Sequence, residues 1–226
     1  MSPPPIGSLG IIGGTGPMGR GLATRLAAAG LEVVLGSRDF ERAEAAAAEI
    51  RDRVGADAVR GATNAVAASQ GELTLLTVPY QPGSPIVVQL APELEGRVLV
   101  STAAPMEFRE RQAHPLRPAA GSAAREVADL CPKALVVGAF HTVSAPTLGR
   151  LELPLDEDVI VTSDHPAARA LVLQLVALLP GLVPVDGGEL ANSSFSEGLT
   201  PFLLRLNRLH HCNTGIHITG LPAGIP

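Results

Sequence analysis

One six-residue stretch constrains this chain more than any other. Gly14-Thr15-Gly16-Pro17-Met18-Gly19 fits the pattern G-x-G-x-x-G. The pattern alone is weak, but its surroundings are specific. It directly follows the apolar run Ser8 to Ile12, which reads as a buried strand, and it opens a segment of helical period. Met18, Leu22, Leu26 and Ala29 recur on one helical face. Pro17 suits the first turn and Gly30 the C-terminal cap. Strand, glycine turn and helix in that order form a cradle for a pyrophosphate. Gly14 permits the tight turn, Gly16 lets the backbone approach the phosphates, and Gly19 lets the helix lie close on the strand. Free N–H groups and the helix dipole then favour negative charge.

The next strand, Leu31 to Leu35, runs through Gly36 into Ser37-Arg38. A dinucleotide site for NAD places Asp or Glu there, to bond the ribose hydroxyls. A carboxylate would repel the 2′-phosphate of NADP. Arg38 can pair with that phosphate, Ser37 can donate to it, and Arg42 follows one helical turn later. The cofactor expected is therefore NADP(H). Asp39 could serve the ribose, but its position suits an N-cap better. The plainer alternative is that the arginines are solvated surface charges.

Beyond the turn, strands and helices alternate. Helices are expected over Asp39 to Val54 and Thr63 to Gln70, and strands over Leu73 to Val78, Val98 to Ser101 and Ala134 to Ala139. That rhythm predicts an α/β fold, a Rossmann-type doubly wound parallel sheet with right-handed crossovers. From about Thr147 the rhythm changes. Short strands at Val159 to Thr162 and Val183 to Val185 flank a helix at Ala167 to Leu179, and a last helix runs from Asn192 to about His210. Residues 9–146 are expected to bind the nucleotide. Residues 147–226 form a smaller C-terminal α/β extension that closes the cleft and dimerises. Residues 1–8 lack the charge and apolar core of a signal peptide and are expected to be a flexible lead.

Composition narrows the function classes. The chain has 226 residues, 46% hydrophobic and 17% charged, which is globular rather than disordered. Its most apolar stretch, Leu171 to Val185, is broken by Gln174, Pro180, Gly181 and Pro184, so no membrane span is expected. The net charge of −5 and the lack of a basic run argue against nucleic-acid binding. Two cysteines make no disulfide framework, and a cytoplasmic location fits. His210, His211, Cys212 and His217 match no zinc spacing, so no metal is expected. No G-x-S-x-G elbow occurs. Phe195, Leu199, Phe202, Leu203, Leu206 and Leu209 give the last helix an apolar face for core or dimer contacts. His141 follows an apolar strand, where strand ends face the ligand crevice. It is either an acid or anion-holding group at the site, or a structural histidine bonded to a loop carbonyl.

The run GIIGGTGPMGRGLATRLAAAGLEVVLGSR, residues 10–38, is very similar to the start of the NADPH-dependent coenzyme F420 reductases, also called F420H2:NADP oxidoreductases. LLTVPY at 75–80, HT at 141–142, ELANSSFSEGLTPFLLRLN at 189–207 and TGIHITGL at 214–221 extend the resemblance over nearly the whole chain. The resemblance implies hydride transfer between NADP(H) and the deazaflavin F420 as co-substrate, by a homodimer with small-molecule partners only. It implies that Gly14, Thr15, Gly16, Pro17 and Met18 meet the pyrophosphate, and that Ser37, Arg38 and Arg42 hold the 2′-phosphate. Val78, Pro79 and Tyr80 would border the nicotinamide. Ala104, Met106, Ala145 and Thr214 would line the same cleft, with Asn192, Thr200 and His141 towards the deazaflavin. Ser194 stands where the family commonly has an arginine, suited to the coenzyme's acidic tail or to its reduced, anionic ring, and Arg205 or Arg208 are candidate substitutes. An NADPH-dependent reductase of another flavin-like, quinone or metal-chelate acceptor, or a non-enzymatic NADPH sensor, would use the same fold.

Overall fold

The computed structural model describes residues 6–221. The chain begins β1 (Ser8–Ile12), α1 (Pro17–Ala28), β2 (Glu32–Ser37), α2 (Phe40–Val54), β3 (Val59–Thr63), α3 (Asn64–Gln70) and β4 (Leu73–Leu76). It continues through α4 (Pro85–Leu90), β5 (Val98–Ser101), a hairpin of β6 (Met106–Arg109) and β7 (Gln112–Pro115), α5 (Ala123–Leu130) and β8 (Leu135–Gly138). The last part holds α6 (Ala145–Leu148), β9 (Glu157–Val161), α7 (Pro166–Ala177), β10 (Leu182–Asp186) and α8 (Ser193–His210).

The main sheet has the order β3-β2-β1-β4-β5-β8, and every pairing in it is parallel. This is the doubly wound Rossmann order, with its reversal between β1 and β4. Apolar residues cover both faces. Ile11, Leu35 and Leu75 join Leu22 and Leu26 of α1 on one side, while Ile12, Leu76 and Leu99 join Leu90 and Val127 on the other. The local signals act as expected at the helix ends. Asp39 caps α2 by accepting from the Arg42 amide, Thr63 caps α3, and Gly30 takes a left-handed φ of 89° after α1.

The C-terminal elements share this core. Leu148, Val159, Val172, Val176 and Leu182 belong to the same cluster as Ile11 and Leu26. β9 and β10 form a parallel pair, tied to β8 by an antiparallel bridge between Gly138 and Thr162. Arg25 of α1 donates to the carbonyls of Thr147, Leu148, Arg150 and Leu153, which fixes α6 and the loop after it against α1. Of the lead expected over residues 1–8, residues 1–5 lie outside the described residues. Ile6 is fully buried, the Gly7 amide donates to Glu72, and Ser8 already begins β1. The apolar Ile6 side chain extends the core one turn earlier than the sequence pattern indicated. The sheet strand β3, helices α4 and α5, and the β6–β7 hairpin were not among the expected elements.

Candidate active site

The glycine-rich turn leaves β1 at the switch point. Gly13, one residue before the expected position, is the left-handed residue, with φ 73°. A Cβ on Gly14 would lie 2.6 Å from Leu35 of β2, so Gly14 serves close packing rather than a special φ. A Cβ on Gly19 would lie 2.6 Å from the Gly14 Cα, as close helix–strand packing requires. Gly16 differs from both. An added Cβ there would meet only the Gly13 carbonyl, at 3.4 Å. The space over Gly16 is open, and α1 begins there with no side-chain cap. The amides of Thr15 and Met18 have no partner among the described residues. Open space, free amides and an uncapped helix N-terminus fit a pyrophosphate.

Two polar side chains that sequence reasoning missed hold this turn. Asn64 of α3, nearly buried, accepts from the Gly13 amide at 3.0 Å. Thr77 donates to the Ile12 carbonyl at 2.9 Å. Asn64 satisfies an amide that the turn would otherwise leave bare, while the Thr77 hydroxyl adds a second bond to a carbonyl that already accepts from the Thr77 amide. An asparagine opening an alanine-rich helix was the only sequence signal for the first.

At the end of β2, Ser37 is buried and accepts from the Asp39 amide at 3.3 Å. Arg38 and Arg42 are exposed, and neither forms an ion pair among the described residues. The Asp39 carboxylate is taken up by its N-cap bond. Both guanidiniums are therefore free to meet a phosphate. Thr15 and Pro17 also face Ala145 across a cleft of about 470 Å³ between α1, α2 and α6.

Val78, Pro79 and Tyr80 follow β4, beside the glycine turn. Val78 packs against Gly13, whose added Cβ would come within 2.6 Å of it. The Tyr80 hydroxyl donates to Glu126 of α5 at 2.9 Å, and the same carboxylate accepts from the Gly83 amide at 2.6 Å. Burial, then this bond, pushes the Tyr80 phenol up to about 12. Glu126 thus pins the whole 79–84 loop, a role that required knowing where α5 lies. Ala104, half-buried, follows β5, and Met106 begins the hairpin beside it.

His141 lies at the end of β8, after Phe140 turns the chain with φ 63°. Its ring is buried rather than open to the cleft, with 1% of the side chain exposed. Nδ1 bonds the Ser196 hydroxyl at 3.1 Å, and Nε2 stands 4.0 Å from Glu197. Burial pulls the imidazole down to about 4, partly offset by the Ser101 carbonyl, so the ring is neutral at pH 7. Glu197 accepts from the amides of Ala123 and Ala124 at 2.7 and 3.0 Å, capping α5 from α8. Burial nonetheless raises its carboxyl to about 7. Thr200 donates to the His141 carbonyl at 2.8 Å. Asn192 is exposed and donates to the Gly187 carbonyl. Thr214 is set by Asn207, which accepts from both its amide and its hydroxyl. Arg205 and Arg208, the candidate substitutes for the arginine missing at Ser194, are both engaged with hairpin carbonyls. His210, His211 and Cys212 are exposed at the end of α8, while His217 pairs with Asp156 and Asp158.

The pyrophosphate turn, the free arginines, the Tyr80 loop and His141 thus follow β1, β2, β4 and β8, all at one edge of the sheet. Residues 8–105 match the family model described as NADP oxidoreductase, coenzyme F420-dependent. The F420-dependent NADP reductase of Methanothermobacter marburgensis is 36% identical over 221 residues, covering 95% of this chain and 99% of that protein. This chain is an F420-dependent NADP reductase family member. The Methanocaldococcus jannaschii relative of the same name is 35% identical over 94% of this chain and 98% of its own length. A solved structure from Arthrobacter sp. FB24 superposes with a TM-score of 0.75, at 24% identity, over 95% of this chain and all of that one. That likeness extends the shared fold into the C-terminal part of this reductase.

Proposed function

We propose that this protein transfers hydride between NADP(H) and coenzyme F420 in the crevice at the C-terminal edge of its sheet. The observation that carries this function is an unpartnered phosphate cradle beside two free arginines, in a chain similar over nearly its full length to F420-dependent NADP reductases. When bound, the reduced nicotinamide supplies the hydride that the deazaflavin ring accepts. Everything else is the work of the chain. The amides of Thr15 and Met18 and the α1 dipole hold the pyrophosphate over Gly16. Ser37, Arg38 and Arg42 select the 2′-phosphate. Val78, Pro79 and Tyr80 border the nicotinamide, with the loop held by Glu126. Ala104, Met106, Ala145, Asn192, Thr200 and Thr214 line the rest of the cleft. Transfer between two bound rings needs orientation and exclusion of water, and no protein acid. His141, neutral and enclosed, is a positioning residue that fixes α8 through Ser196 and Thr200.

The protein works as a homodimer. Phe195, Leu199, Phe202, Leu206 and Leu209 recur along α8 at alternating spacings of four and three, the period of a helix–helix seam. Phe195, Phe202 and Leu209 are 75%, 57% and 70% exposed, which supports a second copy covering them. The free cysteines, Cys131 buried and Cys212 exposed, support a reducing cytoplasm. No helix among the described residues is long and apolar enough to cross a membrane.

Anaerobic mixing with NADPH and F420 tests the activity. The deazaflavin absorbance bleaches as NADPH is consumed. Folded protein that binds NADPH but bleaches no F420 would reject it, and turnover with a flavin or quinone alone would point to another acceptor.

A further inference from the structure

The β6–β7 hairpin and the second half of α8 form a positive corner on a chain of net charge −5. Arg109, Arg111 and Arg117 lie on or just after the hairpin, and Arg205 and Arg208 reach it from α8. Only Glu107 and Glu110 oppose them within the hairpin. The five arginines are not equivalent. Arg205 donates to the Ala113 carbonyl at 2.8 Å, Arg208 donates to the Arg111 carbonyl at 2.7 Å, and Arg109 pairs with Glu107 at 2.5 Å. Arg111 and Arg117 are exposed and have no ion pair among the described residues. The turn itself is strained. Glu110 and Arg111 both adopt positive φ, 47° and 62°, at positions where Asn-Gly is the usual choice. Two arginine guanidiniums of α8 hold it in place, so a free cation is presented from a fixed, strained loop.

This corner adjoins, along the chain, two segments assigned to the cleft. The hairpin begins at Met106, two residues after Ala104 in the segment that follows β5. Along α8, Thr200 bonds His141 at the site, and Arg208 lies eight residues on, about 12 Å at a 1.5 Å rise per residue.

We infer that the hairpin and the end of α8 dock the acidic tail of the deazaflavin coenzyme, its phosphodiester and glutamate carboxylates, with Arg111 and Arg117 as the free cations. The inference rests on F420 being the acceptor. It accounts for the absence of an arginine at Ser194, whose hydroxyl is bonded to the Ala191 carbonyl instead. A local positive corner also guides an oligoanion onto a chain that would otherwise repel it.

The test compares KM for F420 carrying an oligoglutamate tail with KM for the same coenzyme core lacking the glutamates, at saturating NADPH. Two exposed cation–carboxylate contacts give the tailed form an advantage of about tenfold at low salt, shrinking as salt rises. In the double variant Arg111→Ala, Arg117→Ala the KM for the tailed form rises to that of the core form. Arg60→Ala, on β3 at the far edge of the sheet, keeps the advantage. Equal KM values for both forms in the wild type, or an advantage that survives the double substitution, would overturn the inference while leaving the acceptor in place. Turnover of neither form would overturn the acceptor, and the inference with it.

Discussion

Replacing Gly16 and Gly19 by alanine, one at a time, separates a glycine kept for a ligand from a glycine kept for the fold. Gly16 sits at φ −75°, ψ 166°, a conformation alanine adopts freely. Its added Cβ meets one carbonyl at 3.4 Å and nothing else. Alanine there lowers the entropy of the unfolded chain, worth about 0.4–1 kcal/mol, and loses a similar amount as a poorer N-cap than glycine. The melting temperature should therefore stay within about 3 °C of wild type. Its methyl occupies the space over the free amides. Loss of one charge-assisted bond to phosphate costs about 1.5–3 kcal/mol, so the NADPH Kd rises about ten- to 150-fold. Gly19→Ala has the opposite signature. Its Cβ would lie 2.6 Å from the Gly14 Cα and 2.8 Å from the Thr77 hydroxyl, so α1 must move off the strand. Such overpacking costs about 1–3 kcal/mol and lowers the melting temperature by about 3–10 °C. Thermal melts and titration of NADPH fluorescence read both quantities on the same samples. A Gly16→Ala protein that melts normally and binds NADPH with unchanged affinity would refute the role given to this turn.

Arg38→Ala should raise the NADPH Kd at least about tenfold, one charge-assisted contact, with little effect on NADH; equal losses for the two would remove the 2′-phosphate role. Glu126→Ala frees Tyr80, which is the only tyrosine in a chain without tryptophan, so its emission reports that bond directly. We expect brighter tyrosine fluorescence and a raised KM for NADPH, and unchanged emission would count against the link between α5 and the loop. His141 is neutral in the fold, its value lowered from 6.5 to about 4, so its contribution is complete above 6.5 and is lost as pH falls towards 4. Over that interval wild type should lose about 3 kcal/mol of stability relative to His141→Gln, and parallel urea-denaturation curves at pH 4.5 and 7 would contradict the buried neutral ring. Phe202→Glu places a charge in the exposed α8 seam and should give a monomer by light scattering; a dimer of wild-type affinity would move the interface elsewhere.

How much of this was legible in the sequence depended on how local each signal was. The turn, the α2 cap at Asp39 and the alternation of β1, α1, β2 and α2 are encoded by neighbouring residues, and they form where the pattern placed them. β3 was missed because Val59-Arg60-Gly61-Ala62-Thr63 is short and glycine-interrupted. It forms because Gly61 lies against α2, where a Cβ would come within 2.3 Å of the Glu44 amide. The hairpin was missed because its turn carries Glu110-Arg111 rather than a turn dipeptide, and it depends on guanidiniums from α8, more than 90 residues away. The candidate site divided the same way. Arg38 and Arg42 stand free at the end of β2. The His141 ring, by contrast, is buried, because Ser196 and Glu197 pack on it from a helix whose packing no local pattern specifies. Asn64, Glu126 and Glu197 act across the fold and become visible only when the helices are in place.

Direct hydride transfer is the central claim, and isotope transfer tests it most directly. NADPH carrying deuterium at the reactive position of its nicotinamide should be mixed anaerobically with F420 and the protein in ordinary water, and the reduced deazaflavin examined by mass spectrometry. A deazaflavin that gains the deuterium in stoichiometric amount is the predicted result. Reduced deazaflavin carrying only solvent hydrogen, or no reduction by protein that binds both molecules, would contradict it.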